Sequence, residues 1–354
     1  MSKPSAAHAA EAAAGATFAD AAGYSLPARF AGIAEEYAAA VESAALFDTS
    51  HAAKLVLTGP DAPRFVHAIA TNDIKDVPLG GGCETYFCDA RAKALFVAWV
   101  AHLKLGDGRN ALWLETTPGR AEALVQHLDR YLISEAVEIA DATDQYAQFH
   151  LAGPAAKGVL ESALADEFPA LAEFHHVERT FGSPATASVR ARTRLGVPGY
   201  DIVCPPERAE GVWRMLTAAG ATPAGLGAYE VLRIEAGTPE YGPDIDANRF
   251  VMEVADASRA VSYQKGCFPG QEPIVMARDR AGRVNRSFVK LRLDGPAAVA
   301  VGTKLTAGET EVGAVTSAAV SPRAGAVAVG YVRWDHVAPG TVLSAAGRRA
   351  VIAG

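Results

Sequence analysis

The sequence predicts an α+β protein, two related α/β lobes followed by a small C-terminal β-barrel. Three observations carry this. At 354 residues the chain is too long for one ordinary core, and half of it is hydrophobic against 21% charged, a globular balance. A strand, a Gly-Pro break and a helix occur twice, once around Gly59-Pro60 and again around Gly153-Pro154. From Ser287 onward, short alternating segments are set apart by Asp294-Gly295-Pro296, Gly308, Ser321-Pro322 and Pro339-Gly340, which is how a small barrel reads. The expected divisions are a disordered Ala-rich tail at 1–28, a first lobe at 29–145, a second at 146–286 and the barrel at 287–354.

The opening residues are rich in alanine but carry Glu11 and Asp20, with no basic leader or leucine-rich core. They read as a frayed tail and not as a targeting peptide. Residues 31–45 read as a helix, with Ile33 and Tyr37 four apart. In the following Leu46-Phe47-Asp48-Thr49-Ser50-His51, the histidine is either a loop ligand or a structural hydrogen-bonder. The second fits better, because no His or Cys partner is near. Residues 54–58 alternate as a strand, and Asp61 is placed to cap a helix running to residue 70. Segments 94–105 and 111–117 flank a Gly-rich loop as a hairpin, and 118–131 puts Ala121, Leu124, Val125 and Leu128 on one helical face. Gly225-Leu226-Gly227 lacks the third glycine of a dinucleotide fingerprint and reads as a turn into a helix at 229–236.

Several function classes fall away. A net charge of −7 argues against a protein built to coat nucleic acid. Cys83, Cys88, Cys204 and Cys267 form no CxxC pair, which suits reduced thiols in a cytoplasmic setting better than a zinc site or a disulfide scaffold. The longest apolar run, 94–101, is far short of a membrane span. There is no phosphate-binding G-x-x-x-x-G-K-[ST], no H-E-x-x-H and no G-x-S-x-G.

The most distinctive stretch is Lys265-Gly266-Cys267-Phe268-Pro269-Gly270-Gln271-Glu272. Two glycines and a proline specify a tight loop, and Glu272-Pro273 suits the first turn of a helix. A thiol beside a lysine and a helix N-terminus ionises more readily; the alternative is an inert cysteine in a turn. This motif resembles the signature of the YgfZ family of folate-binding proteins, with Phe268 where that family has tyrosine. The family comprises bacterial relatives of a mitochondrial iron–sulfur cluster assembly factor, on the fold of the glycine-cleavage T-protein, a tetrahydrofolate-dependent aminomethyltransferase. The wider resemblance runs from about Phe30 to the C-terminus.

The resemblance implies specific roles. Arg194-Leu195-Gly196-Val197-Pro198-Gly199-Tyr200-Asp201 is similar to a T-protein stretch whose acid faces the pterin ring; here that acid is Asp201. Leu232-Arg233-Ile234-Glu235-Ala236-Gly237 is similar to the fold's LRLEAG, so Arg233 is expected near the folate, with Tyr241 placed to stack on a pterin. Gln271 and Glu272 join the implied cofactor-binding set, and Cys267 with Lys265 is the implied working pair. The family's transferases carry an aspartate entering the hairpin strand; that position falls here at Phe96 or Val97, and Asp89 precedes the turn. Arg278, Arg280, Arg283 and Arg286 form a cluster suited to a folate tail, an RNA phosphate or simply a solvated turn.

Three readings follow. The leading expectation is a factor that binds tetrahydrofolate or another reduced folate and supports iron–sulfur cluster assembly or repair, and through it cluster-dependent tRNA modification. Its partners would be cluster assembly proteins or cluster-dependent enzymes, without membrane or stable nucleic-acid contact. The alternative is a folate-dependent aminomethyltransferase, methyltransferase or demethylase. The third is an adaptor that kept the fold and lost the ligand.

Overall fold

The computed structural model describes residues 2–182, 186–254, 257–279 and 284–354. Two compact units emerge, each discontinuous in sequence. One comprises Met1–Ile69, Asp73–Glu84 and Ala98–Tyr229, the other Ala70–Asn72, Thr85–Val97 and Glu230–Gly354.

The first unit holds a six-stranded sheet ordered His176–Thr180, Thr186–Ala191, Gly199–Cys204, Ala147–Ala152, Ala45–Asp48, Thr222–Ala224. It is antiparallel except at its last pair. Ala147–Ala152 is buried along its whole length, as expected of an inner strand. Its Phe149 and Leu151 join Val189, Ile202, Leu160, Val212 and Leu216 in one apolar core, closed by helices Ala156–Leu164 and Ala209–Ala218. The sequence-predicted hairpin is present, with Ala94–Lys104 pairing antiparallel with Asn110–Thr116. It lies in a five-stranded sheet ordered Gly82–Cys88, Ala94–Lys104, Asn110–Thr116, Ala53–Thr58, Glu138–Asp141.

Both Gly-Pro breaks have the same physical cause. Gly59 and Gly153 adopt φ of +110° and +134°, and a Cβ at either would fall 2.0 Å from the Ala136 carbonyl oxygen or 2.3 Å from that of Ser43. Only glycine fits such an approach. Each break leads into a helix, Ala62–Ile69 or Ala156–Leu164.

The N-terminal segment corrects the sequence expectation of a disordered tail at 1–28. Thr17–Ala21 and Tyr24–Arg29 form a hairpin, Lys3–Pro4 adds a third strand, and His8–Ala13 is a helix. Ala7 and Ala10 are 1% and 3% exposed in the core beside Leu46. Alanines that look featureless in the sequence are what permits this close approach. Glu11 is buried as well, accepting from Ser5 Oγ at 3.1 Å. Burial, reinforced by Asp48, pushes its carboxyl up to about 9, so it stays protonated at neutral pH.

The second unit ends in a closed six-stranded antiparallel barrel ordered Arg286–Leu293, Gly325–Arg333, Thr310–Ser321, Lys304–Ala307, Val342–Ala345, Arg348–Ala353. Pairing of the last strand with the first closes it. Leu291, Leu305, Val315, Leu343 and Ile352 fill its interior.

Candidate functional site

Strand alternation gives the six-stranded sheet two unlike faces. Phe149, Val189 and Ile202 enter the apolar core. The register sets His150 and Arg190 on either side of Asp201, so all three share the opposite face. Asp201 is fully buried there. His150 Nδ1 lies 2.8 Å from one of its oxygens, and Arg194 and Arg192 approach the other at 2.5 and 3.5 Å. Glu115 completes the cluster, accepting from Arg194 at 2.8 Å and from Gln148 Nε2 at 3.0 Å. Burial alone would raise both carboxyls. The Arg194 and Arg192 guanidiniums outweigh it, with His150 adding to the effect at Asp201, and hold both below the usual carboxylate range. Burial dominates at His150 and lowers it, so a neutral imidazole donates from Nδ1.

The carried-over Asp201 is thus enclosed, with no exposed edge for a pterin. Arg233 is enclosed too, at 3% exposure. On helix Leu226–Ala236 it donates to both oxygens of Glu230, to Asp244 at 2.8 Å, to Ser317 Oγ at 3.1 Å and to the Thr238 carbonyl. Asp244 in turn accepts from Thr316 and Ser317 on barrel strand Thr310–Ser321. Arg233 is therefore a staple between helix and barrel. Tyr241 is 9% exposed and bridges to Ile245.

The signature loop has the expected helix start: Gln271–Asp279 is helical with Glu272 in its first turn. Gly270 takes φ +79°, and a Cβ there would meet the Asp89 carbonyl oxygen at 2.6 Å and Cys88 Sγ at 2.9 Å. Lys265 is 7% exposed; its ammonium donates to the Ala70 and Asn72 carbonyls and lies 4.9 Å from the centre of the Phe268 ring. Cys267 is exposed, whereas Cys88 and Cys204 are buried. Burial pushes each of these two thiols up to about 12. At pH 8 they would be thiolate in only about one molecule in ten thousand. Iodoacetamide is therefore expected to label Cys267 well before Cys88 or Cys204, read by peptide mass; faster labelling of either buried thiol would refute this arrangement.

Phe96 and Val97 are each 5% exposed on strand Ala94–Lys104. Asp89 serves the preceding turn, its Oδ1 accepting from the Arg91 and Lys93 amides at 2.8 Å. Of the arginine cluster, Arg278 pairs with Asp279 and lies over the Tyr263 ring, and Arg286 begins a barrel strand. Arg280 and Arg283 lie outside the described residues. His51 Nδ1 is buried without a hydrogen-bond partner among the described residues. Burial lowers its imidazole to about 4, and it lines a ≈ 380 Å³ cleft with Tyr24, Asp141 and Asp144. No metal-ligand cluster occurs among the described residues. No helix there is long and apolar enough to cross a membrane.

Sequence reasoning missed Glu115, His150, Arg190 and Arg192. A usable signal existed: Arg190-Ala191-Arg192-Thr193-Arg194 repeats a cation at period two, which in extended chain directs the arginines to one side.

A fold of two α/β lobes and a closed barrel, with a charged face buried inside one sheet, defines a class that comparison with known proteins makes specific. The GCVT N-terminal domain matches residues 7–265 and the glycine cleavage T-protein C-terminal barrel domain matches residues 286–352. The chain belongs to the glycine cleavage T-protein family. It is 31% identical over 319 residues to an aminomethyltransferase of Rubrobacter xylanophilus, covering 90% of this chain and 84% of that one. It is also 31% identical over 335 residues to an aminomethyltransferase of Streptomyces coelicolor, covering 92% and 88%. The crystal structure of the glycine cleavage aminomethyltransferase from Bartonella henselae shares the fold, with a TM-score of 0.85 at 23% identity, covering 100% of this chain and 97% of that one.

Proposed function

We propose that the protein is a one-carbon transferase working on a reduced folate, of the aminomethyltransferase or related methyl-transfer type. The supporting observation is the match of both T-protein domains along the chain, joined to whole-length similarity to proteins named aminomethyltransferase. This reverses the order of the sequence expectations, which put an iron–sulfur factor first. Tetrahydrofolate is the expected cofactor. The chain offers Arg190 and Arg192 beside the aromatic surfaces of Trp99 and Phe174, a lining suited to an anionic group at the end of such a ligand. The hydrogen-bonding capacity of Asp201 and of Arg233 is used internally, so this reading assigns neither residue a direct ligand contact.

Calorimetry with tetrahydrofolate tests the reading: saturable binding is expected, and its absence would remove it. The apolar Phe96 and Val97 supply no carboxylate on the hairpin strand, so turnover of aminomethyl-loaded carrier protein is expected below about one per second, the low end of ordinary enzymes. Methylenetetrahydrofolate formation measures it, and a faster rate would mean that another group does the acid's work.

A second reading rests on the signature motif. An exposed Cys267 beside a helix start supports the narrower kinship with YgfZ and a role in iron–sulfur cluster assembly. Complementation by a Cys267→Ser variant in cells lacking the protein separates the two readings, because only the second needs the thiol.

A further inference from the structure

The polar face of the six-stranded sheet borders a pocket of ≈ 10 Å³ lined by Arg190, Arg192, Glu115, Trp99 and Phe174. Its electrostatics are incomplete. Arg190 is 5% exposed, yet its hydrogen bonding among the described residues is a single Nε contact to Ser188 Oγ at 3.3 Å, and it makes no ion pair there. Its guanidinium lies 4.4 Å from the centre of the Trp113 ring. Arg192, also 5% exposed, has carboxylate oxygens only at 3.5 and 3.8 Å and is sandwiched against Trp99 and Phe174 at 4.5 and 5.6 Å. The one carboxylate lining the pocket, Glu115, is already taken by Arg194 and Gln148.

Among the described residues the two guanidinium forks share one hydrogen bond to protein, so most of their donor capacity is left for another acceptor. An arginine fork matches a planar two-oxygen acceptor. Burial is the largest influence on the Arg190 pKa and lowers it, while Glu115, Asp201 and Glu178 act to raise it and Arg192 and Lys54 to lower it. The volume admits about one water-sized group, so the pocket takes the end of a ligand and not its whole body. Flat aromatic walls suit a planar group better than a tetrahedral phosphate.

We propose that this pocket is a carboxylate-binding subsite, in which Arg190 and Arg192 grip one carboxylate group of a bound ligand. Only the identity of the carrier, a folate glutamate tail or an amino-acid one-carbon donor, rests on the folate reading; the pocket's chemistry stands on its geometry.

The test uses the full chain and its tryptophan fluorescence, since Trp99 and Trp113 touch the two guanidiniums. Acetate, glycine, tetrahydrofolate and its dimethyl ester, in which both glutamate carboxylates are masked, are titrated at constant ionic strength. If the folate tail is the carrier, tetrahydrofolate binds about tenfold more tightly than its dimethyl ester, the worth of one charge-assisted hydrogen bond, and Arg190→Gln abolishes the difference while Arg190→Lys retains part of it. If an amino acid is the carrier, glycine and acetate saturate the signal and the two folates bind alike. Acetate or glycine binding without any folate binding would keep the subsite and discard the folate reading. Equal folate affinities with no response to acetate or glycine in the wild-type protein would overturn the proposal, and that result requires no variant to fold.

Discussion

Asp201→Ala is expected to destabilise the first unit by about 3–5 kcal/mol, the cost of removing one partner from a buried ion pair. The carboxylate is fully buried and balances Arg194 and Arg192 while accepting from His150. Alanine would leave those cations in low dielectric with Glu115 as the remaining carboxylate within ion-pair reach. Urea unfolding monitored by circular dichroism measures the loss. The pH dependence has a definite sign. Asp201 sits below its unfolded value near 3.9, so its stabilisation is fully present above that value and is lost as pH falls through the depressed folded one. The variant should therefore lose part of the acid limb of the stability profile. A loss under 1 kcal/mol with folate binding weakened about 10- to 100-fold would instead restore Asp201 as a direct ligand contact.

Arg233→Ala carries an expected penalty of similar size, about 3–5 kcal/mol, placed in the second unit. Asp244 would stay buried with the Thr316 and Ser317 hydroxyls and the Glu240 amide but no cation, and Glu230 would lose a two-pronged partner. Arg233→Lys should rescue little, since a point ammonium cannot reproduce a fork that reaches Glu230, Asp244 and Ser317 together. Hydrogen exchange read by mass spectrometry should show faster exchange in Leu226–Ala236 and Thr310–Ser321. Unchanged exchange in both segments, with folate affinity lost, would make the arginine a ligand contact and not a staple.

Legibility in the sequence followed the range of the interactions concerned. Gly59 and Gly153 could be read because their constraint is local: a left-handed backbone pressed against a carbonyl admits only glycine. The barrel could be read from its short strands and turns, and the helix after Cys267 from Glu272 and Pro273. The N-terminal segment could not, because alanine does not announce whether it will be solvated or packed, and Ala7 and Ala10 are packed. Asp201 and Arg233 were singled out from their neighbours in sequence, but what occupies them comes from elsewhere: His150 lies 51 residues from Asp201, and Ser317 lies 84 from Arg233. Arg190 escaped notice because an arginine in a strand reads as solvated until the sheet buries it.

The closure of the signature loop has a consequence for biosynthesis. Lys265 reaches back 195 and 193 positions to Ala70 and Asn72, and the Cys88 thiol reaches forward 181 positions to Pro269. At about 5–20 residues per second, a ribosome needs roughly 9–36 seconds to make the chain between Cys88 and Pro269. Throughout that interval the nascent segment holding Phe87, Cys88 and Ala94, all at most 1% exposed in the finished protein, waits for the rest of its unit to be translated. Contacts of such long sequence separation form late and slowly. A ribosome stalled before residue 265 should therefore present this segment to proteases and holding chaperones, and one released after the barrel should not.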